Sequence, residues 1–411
     1  MRSARLPDNL ESAKRERRSA IARAVHRCFA QSARIATACI GGTFMVSAAH
    51  AQVIAPAAWR LERIGTTAGE AVGPDVVSLA LATNGQVYVA DGRDHQIILY
   101  DTTGKRRATF GRSGSGPGEY QRLAGLAWTH DTLVAYDPGA FRLTYLSLTG
   151  GVVGTAAWPG TWFAQYLLGP GGPRAGVYAM GYTRSTITVK RGQSGVVTAA
   201  LPKQVVVFLE ILGSRAVRQL TAIGDSAATP RPDDCEVRAK GIIHIMSTLP
   251  GGTGPVDAFT SDGRLASTTD NRSRVVWTDA QSGARVTRTS PAYAPVPVTD
   301  AIWAREAREY LEYTKANGPL VCTTTAFQRP ATLPPIRRLV ADDAGNVWVE
   351  VTTSAGARLD VYNGAGTLIA SMPAPPYDDT MPFVVRGEHA AFVVRDSDDV
   401  AAVEIYRILR R

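Results

Sequence analysis

The stretch Val76 to Gly111 constrains the fold more than any other part of the chain. Four apolar or alternating runs, VVSLALAT, QVYVAD, QIILYDT and KRRATFG, are separated by Asn84-Gly85, by Gly92-Arg93-Asp94-His95 and by Thr103-Gly104. Alternation with a period of two fits the pleat of a strand that buries one face. Each break supplies residues that tolerate positive φ or close an Asx turn. The stretch therefore predicts a four-stranded antiparallel meander.

The unit recurs, with decay. LAGLAWTH, TLVAYDPG, FRLTYLSLTG and GVVGTAAWP fill Leu123 to Pro159. A looser copy has TWFAQYLLG, GVYAMGYT, a hairpin-like insertion around Ile187 to Ala200, QVVVFLEIL and AVRQLTAIG, ending at Gly224. A fourth runs from Gly254 and a fifth from Ile336, and the last has three strands, MPFVVRGE, HAAFVVRD and VAAVEIYRIL. Trp59 to Gly65 (WRLERIG) has the pattern of an outer strand and supplies the missing one. Pairing it with the C-terminal strands closes a ring and protects edges that otherwise invite aggregation. The expected fold is all-β: a six-bladed β-propeller of four-stranded antiparallel blades, with an N-terminal strand closing the last blade and one inserted helix. Residues 52–411 are read as one such domain.

Two insertions, about 225–252 and 291–335, interrupt the repeat. Ile242 to Met246 reads as an extra strand. Thr299 to Asn317 has helical spacing, with Thr299 or Asp300 as N-cap and Gly318-Pro319 as the stop. In a four-stranded blade the outer-to-inner links and the second-to-third-strand links emerge on one face. Both insertions are outer-to-inner links flanking the fourth copy, so Cys235 and Cys322 rise from the same face. That placement favours a Cys235–Cys322 disulfide over two separate buried thiols, closing a loop worth about 4 kcal/mol on the chain-entropy model.

Net charge adds a second strand of argument. The chain carries a formal +9, but residues 1–51 hold nine Lys/Arg against three acids, leaving 36 basic and 33 acidic side chains in the remainder. So slight an excess gives no support to a nucleic-acid partner. The basic stretch is followed by an apolar run, Ile35 to Ala49, and then Ala49-His50-Ala51, which is the order of a secretory signal. The run is short of the ~20 residues of a membrane span and contains Gly41 and Gly42. A lipobox reading fails because Cys39 precedes the apolar run, and Arg17-Arg18 lies too far ahead of it for twin-arginine export. A start near Val25 would give a more compact signal. The expectation is an exported protein, periplasmic or secreted, monomeric, with no transmembrane segment in the mature chain. Loss of residues 1–51 also removes Cys28 and Cys39.

Asn84 to Tyr120, NGQVYVADGRDHQIILYDTTGKRRATFGRSGSGPGEY, resembles an NHL repeat. The shared pattern is a Gly-aromatic-Val-Asp strand, a strand ending in aromatic-Asp, and Phe-Gly before a Gly-Pro-Gly loop. The last 75 or so residues are similar to exported bacterial six-bladed propellers of largely unassigned function. The resemblance implies that Gly111 to Gly116 is an inter-blade link.

No motif fixes a reaction. His95, His130, His244 and His389 lie on separate copies without metal-ligand spacing. Asp91, Asp101, Asp137 and Asp279 end strands, and Asp342-Asp343 opens a turn. Asp beside Gly is first of all turn chemistry, with a calcium site or acidic ring as the functional alternative. Ligand contacts are expected instead from the loop-rich face: Asp94, His95, Asp137, Asn271, Arg272, Arg395 and Asp396 on the second-to-third links, and Arg112, Glu119, Tyr120 and Trp162 between blades. Mixed charge with aromatics suits a small polar ligand, a glycan or a peptide. The leading expectation is a non-catalytic binding or scaffolding module without a resident cofactor. The alternative is a metal-dependent lactonase- or lyase-type enzyme on the same face. Asn271-Arg272-Ser273 fits a glycosylation sequon, but 39 Arg against 6 Lys and the signal look bacterial.

Overall fold

The structure, a computed structural model, describes residues 57–410 apart from short internal stretches, the longest being 223–234 and 247–256. The signal-like segment 1–51 lies outside the described residues. Ala55–Arg411 forms one compact unit.

The meanders form as expected. Sheet I pairs Val76–Leu81, Val87–Asp91, Gln96–Tyr100 and Arg106–Phe110 in sequence order. Sheet II does the same with Gly125–Thr129, Thr132–Asp137, Arg142–Leu146 and Val152–Ala157. Sheet III comprises Phe163–Leu168, Gly176–Tyr182, Gln204–Leu212 and Ala216–Ala222. Sheet IV is Asp257–Phe259, Arg264–Thr268, Val275–Asp279 and Arg285–Thr289, and sheet V is Ile336–Ala341, Val347–Thr353, Gly356–Tyr362 and Leu368–Pro373. Sheet VI closes the chain on itself: Val384–Arg386, His389–Arg395 and Ala401–Leu409 are completed by the N-terminal strand Arg60–Thr66, antiparallel to Ala401–Leu409 with Arg60 opposite Leu409.

The fold is thus an all-β propeller of four-stranded antiparallel blades with almost no helix among the described residues. The sequence reading expects six blades, whereas the structure shows five of the regular pattern, sheets I, II, IV, V and VI. Segment 163–222 departs from it because a separate hairpin, Thr186–Val189 with Val197–Ala200, is inserted between the second and third strands of sheet III.

The core lies between sheets. Tyr88, Ile97 and Leu99 of sheet I pack with Leu126, Trp128 and Leu133 of sheet II. Val87, Val89 and Tyr100 use the opposite face of sheet I against Val393, Val403 and Ile405 of sheet VI. The period-two pleat makes this two-sided packing possible, since alternate residues of one strand serve two interfaces. Sheet V repeats the scheme, with Trp348 and Leu359 against Phe392 and Tyr406 of sheet VI, and Val347 and Tyr362 against Trp277 of sheet IV. Val177 and Leu209 of sheet III join Tyr136 and Trp158, and Tyr178 stacks on Phe259 of sheet IV at 3.8 Å between ring centroids. Each large aromatic buried this way contributes several kcal/mol of apolar burial, about 25 cal/mol per Å².

The insertions also take form. Cys235–Ala239 pairs with Ile242–Met246, the extra strand expected there, and with Val321–Cys322 from the second insertion, which in turn pairs with Thr325–Ala326. The base of the second insertion is tied by Val296–Pro297 against Thr332–Leu333. A helix forms in the expected place, spanning Asp300–Glu306, and Arg308, Leu311, Glu312 and Lys315 beyond it are helical too, with the Leu311 N–H donating to the Ala307 carbonyl at 2.8 Å. Thr299 is its N-cap, accepting from the Ile302 N–H at 3.2 Å, and the continuation is described only in part.

Candidate functional site

One face carries the links 111–124 and 374–383 and the described parts of 290–335, together with the second-to-third-strand turns. The opposite face is closed by tight turns such as 82–86, 101–105, 342–346 and 363–367. Asp94, His95, Asp137, Arg272 and Arg395 end or follow second strands and Arg112 and Tyr120 lie in the link after sheet I, all on the loop-rich face, whereas Asp101 and Asp342 lie in turns of the opposite face.

The link after sheet I is held by one acid. Glu119 accepts from Arg112 Nε and Nη2 at 2.8 and 2.6 Å, from the Ser115 N–H at 3.1 Å and from the Gly116 N–H at 2.8 Å. The Gly116 N–H, and then Arg112, hold its carboxyl below the ordinary range. Tyr120 is fully buried, and burial pushes its hydroxyl pKa up. Its ring lies against Gly111, where φ is +84° and a Cβ would come within 2.5 Å of Tyr120 Cε2, so only glycine fits. Arg142 crosses beneath, donating to the Ser115 and Glu119 carbonyls and lying 4.0 Å from Asp137. Asp137 is itself fully buried and accepts from the N–H groups of Gln121, Arg122, Gly139 and Ala140 at 2.9 to 3.0 Å. Arg112, Glu119, Tyr120 and Asp137 are therefore brought into one group, but Asp137 and Tyr120 serve it from inside. Four backbone donors commit the buried Asp137 carboxylate to the turn.

A second group joins sheets VI and I. Arg395 Nε donates to Asp378 at 2.5 Å, and Arg395 Nη1 lies 3.5 Å from Asp399; Asp378 raises the guanidinium pKa, and Asp75 adds to the effect. Asp75 accepts the Gly92 N–H through its carbonyl, beside exposed Asp94. Asp91 is buried and caps the Arg93 and Asp94 N–H groups, which sets the turn carrying His95 at φ +54°. The buried His95 Nδ1 has no hydrogen-bond partner among the described residues. Asp396 is occupied by the Asp398 and Val400 N–H groups.

Arg272 belongs to neither group. It sits at φ +49° in a turn of sheet IV, where its N–H reaches the Thr269 carbonyl and Asn271 accepts from Ser273 and Thr269. Trp162 lies outside the described residues.

Two groups escape the sequence reading. Glu350, buried in the second strand of sheet V, accepts from the Tyr377 hydroxyl at 2.5 Å, while Arg338 donates to the Met381 carbonyl and lies 5.9 Å from the Tyr377 ring centroid. The available signal was a lone acid amid the apolar run VWVEV. On the opposite face, Arg386 of sheet VI reaches past sheet I to sheet II, donating to the His130 carbonyl at 3.1 Å and lying 4.8 Å from the Trp128 ring centroid. Burial lowers the Arg386 pKa, and Asp343 and Asp131 oppose that shift. No local pattern links residues so far apart.

The accessible chemistry of the loop-rich face is display: guanidinium donors of Arg112 and Arg395 and the Asp94 carboxylate, mounted on rigid turns. Among the described residues, no group of three or more His, Cys, Asp and Glu side chains is placed to hold a metal ion. No described helix is long and apolar enough to cross a membrane.

No family model matches the chain. No curated protein matches it either. Among solved structures it is similar to virginiamycin B lyase from Staphylococcus aureus, at 11% identity and a TM-score of 0.41, over 85% of this chain and 100% of that one. It is also similar to a DUF4221 family member from Bacteroides vulgatus, at 11% identity and a TM-score of 0.41, over 87% and 100%. It is similar too to the Cps50 (Swd1) β-propeller domain from Myceliophteria thermophila, at 10% identity and a TM-score of 0.37, over 85% and 100%.

Proposed function

We propose that this chain is an exported binding or scaffolding module that engages a small polar ligand, a glycan or a peptide through its loop-rich face. The ring counts six blades in this reading, with sheet III as the sixth. Its support is the packing of sheet III between sheets II and IV through Val177, Leu209 and Tyr178. The observation that carries the function is the asymmetry of the links. Among the described residues the long links emerge on one face, and a rigid scaffold that concentrates irregular chain at one end is the usual arrangement for recognition. Arg112 is held by the Glu119 carboxylate and Arg395 by Asp378, so these guanidinium groups are oriented before a ligand arrives and lose little freedom on binding. Export rests on the order of charge, apolar run and small residues in segment 1–51.

The test is a glycan array and a peptide array probed with the labelled protein and two variants. One variant carries D94A, R112A and R395A on the loop-rich face; the other carries K105A and R106A on the opposite face. A ligand retained by the second variant and lost by the first is expected. Absence of any ligand on both arrays, or equal loss in both variants, would overturn the reading.

A further inference from the structure

We propose that Cys235 and Cys322 form a cross-strand disulfide that staples the two insertions into one redox-sensitive cap. The register is direct: Cys235 stands opposite Cys322, and Glu236 opposite Val321, on antiparallel strands. Directly opposed residues in such a pair have Cα atoms about 4.5 or 5.5 Å apart, and both values fall in the span a disulfide bridges. Any slip of one residue would remove the match.

The same ladder explains why a covalent link matters here. The two strands share two opposed pairs, yet they come from chain segments on either side of sheet IV. So short a ladder holds a cap weakly by itself, since isolated pairings of this size are marginal in water. A bond at the Cys235–Cys322 pair fixes both register and proximity, and it turns two independent loops into one four-stranded unit with Ile242–Met246 and Thr325–Ala326. Both segments are outer-to-inner links, so the cap arises from the loop-rich face. Formation is a two-electron oxidation: each thiol gives up a proton, and the pair passes two electrons to a disulfide-bearing oxidant of the thiol–disulfide oxidoreductase class, which leaves as its dithiol. The inference rests on register and topology and stands apart from what the face binds.

Purified full-length protein is reduced, equilibrated with oxidised glutathione and digested without reductant. The expected product is one peptide pair joining Cys235 to Cys322, lighter than the two reduced peptides by two hydrogens. Limited proteolysis within 225–252 and 291–335 is expected to accelerate about tenfold on reduction, while sheets I and V keep their resistance. C235S and C322S should each cleave like the reduced protein and expose one titratable thiol at the partner position. Cys235 and Cys322 both free after oxidation, a bridge from either to Cys28 or Cys39, or cleavage unchanged by reduction would overturn the proposal.

Discussion

Thr67 and Val403 exchange two hydrogen bonds across the closure of the ring. The Thr67 N–H donates to the Val403 carbonyl at 3.0 Å, and the Val403 N–H donates to Thr67 Oγ1 at 2.8 Å. Thr67 is fully buried and follows the N-terminal strand, so one side chain fastens the first strand of the ring to the strand beside it. Thr67→Val keeps the shape and leaves the Val403 N–H without its acceptor. A loss of about 1–3 kcal/mol in denaturant unfolding is expected, with Thr67→Ser close to wild type. Equal stability of both variants would show that the hydroxyl is dispensable.

Asp137 and Arg395 should separate structure from recognition. Asp137→Asn weakens a buried carboxylate that accepts four backbone N–H groups, and a destabilisation of about 2–3 kcal/mol is expected. Arg395→Ala removes a partly exposed ion pair, with an expected change within about 1 kcal/mol. Thermal unfolding of the two variants side by side checks the order.

Gly111→Ala tests the link after sheet I. The added methyl meets the Tyr120 ring in a left-handed backbone conformation, so both strain and repacking oppose it. A cost of about 1–3 kcal/mol is expected, and Gly111→Ala with Tyr120→Leu should recover part of it if the ring is the obstacle.

His389 makes stability depend on pH. Burial, and then the charge of Arg407, lower its pKa from 6.5. The folded chain therefore binds fewer protons than the unfolded chain below that value. The contribution is fully present above pH 6.5 and is lost as pH falls through the lower, folded pKa. Urea midpoints at pH 7.5, 6.5 and 5.5 should decline less steeply in His389→Gln than in the wild type. Parallel declines would remove His389 as the source.

The strands were legible because their determinants are local. Asn84-Gly85 marks a turn whatever the rest of the chain does, and Gly85 indeed sits at φ +82°. The closing role of Trp59 to Gly65 was legible by subtraction, since the last copy lacked one strand. Turn carboxylates were not legible as ligands or caps: Asp94 and Asp137 read alike in sequence, and only burial separates them. The third copy was the least regular in sequence because a hairpin, Thr186–Val189 with Val197–Ala200, interrupts its meander. The helix was legible because Trp303, Ala307 and Leu311 keep helical spacing, and the Ala307 and Leu311 N–H groups donate to the carbonyls four residues back.

Arg386 and Trp128 sit on sheets that are not neighbours, yet the guanidinium lies 4.8 Å from the centre of the indole ring, so this one contact ties sheet VI to sheet II. Any breathing that parts sheet VI from sheet II pulls a cation off an indole, which makes Trp128 an optical gauge of how open the molecule is.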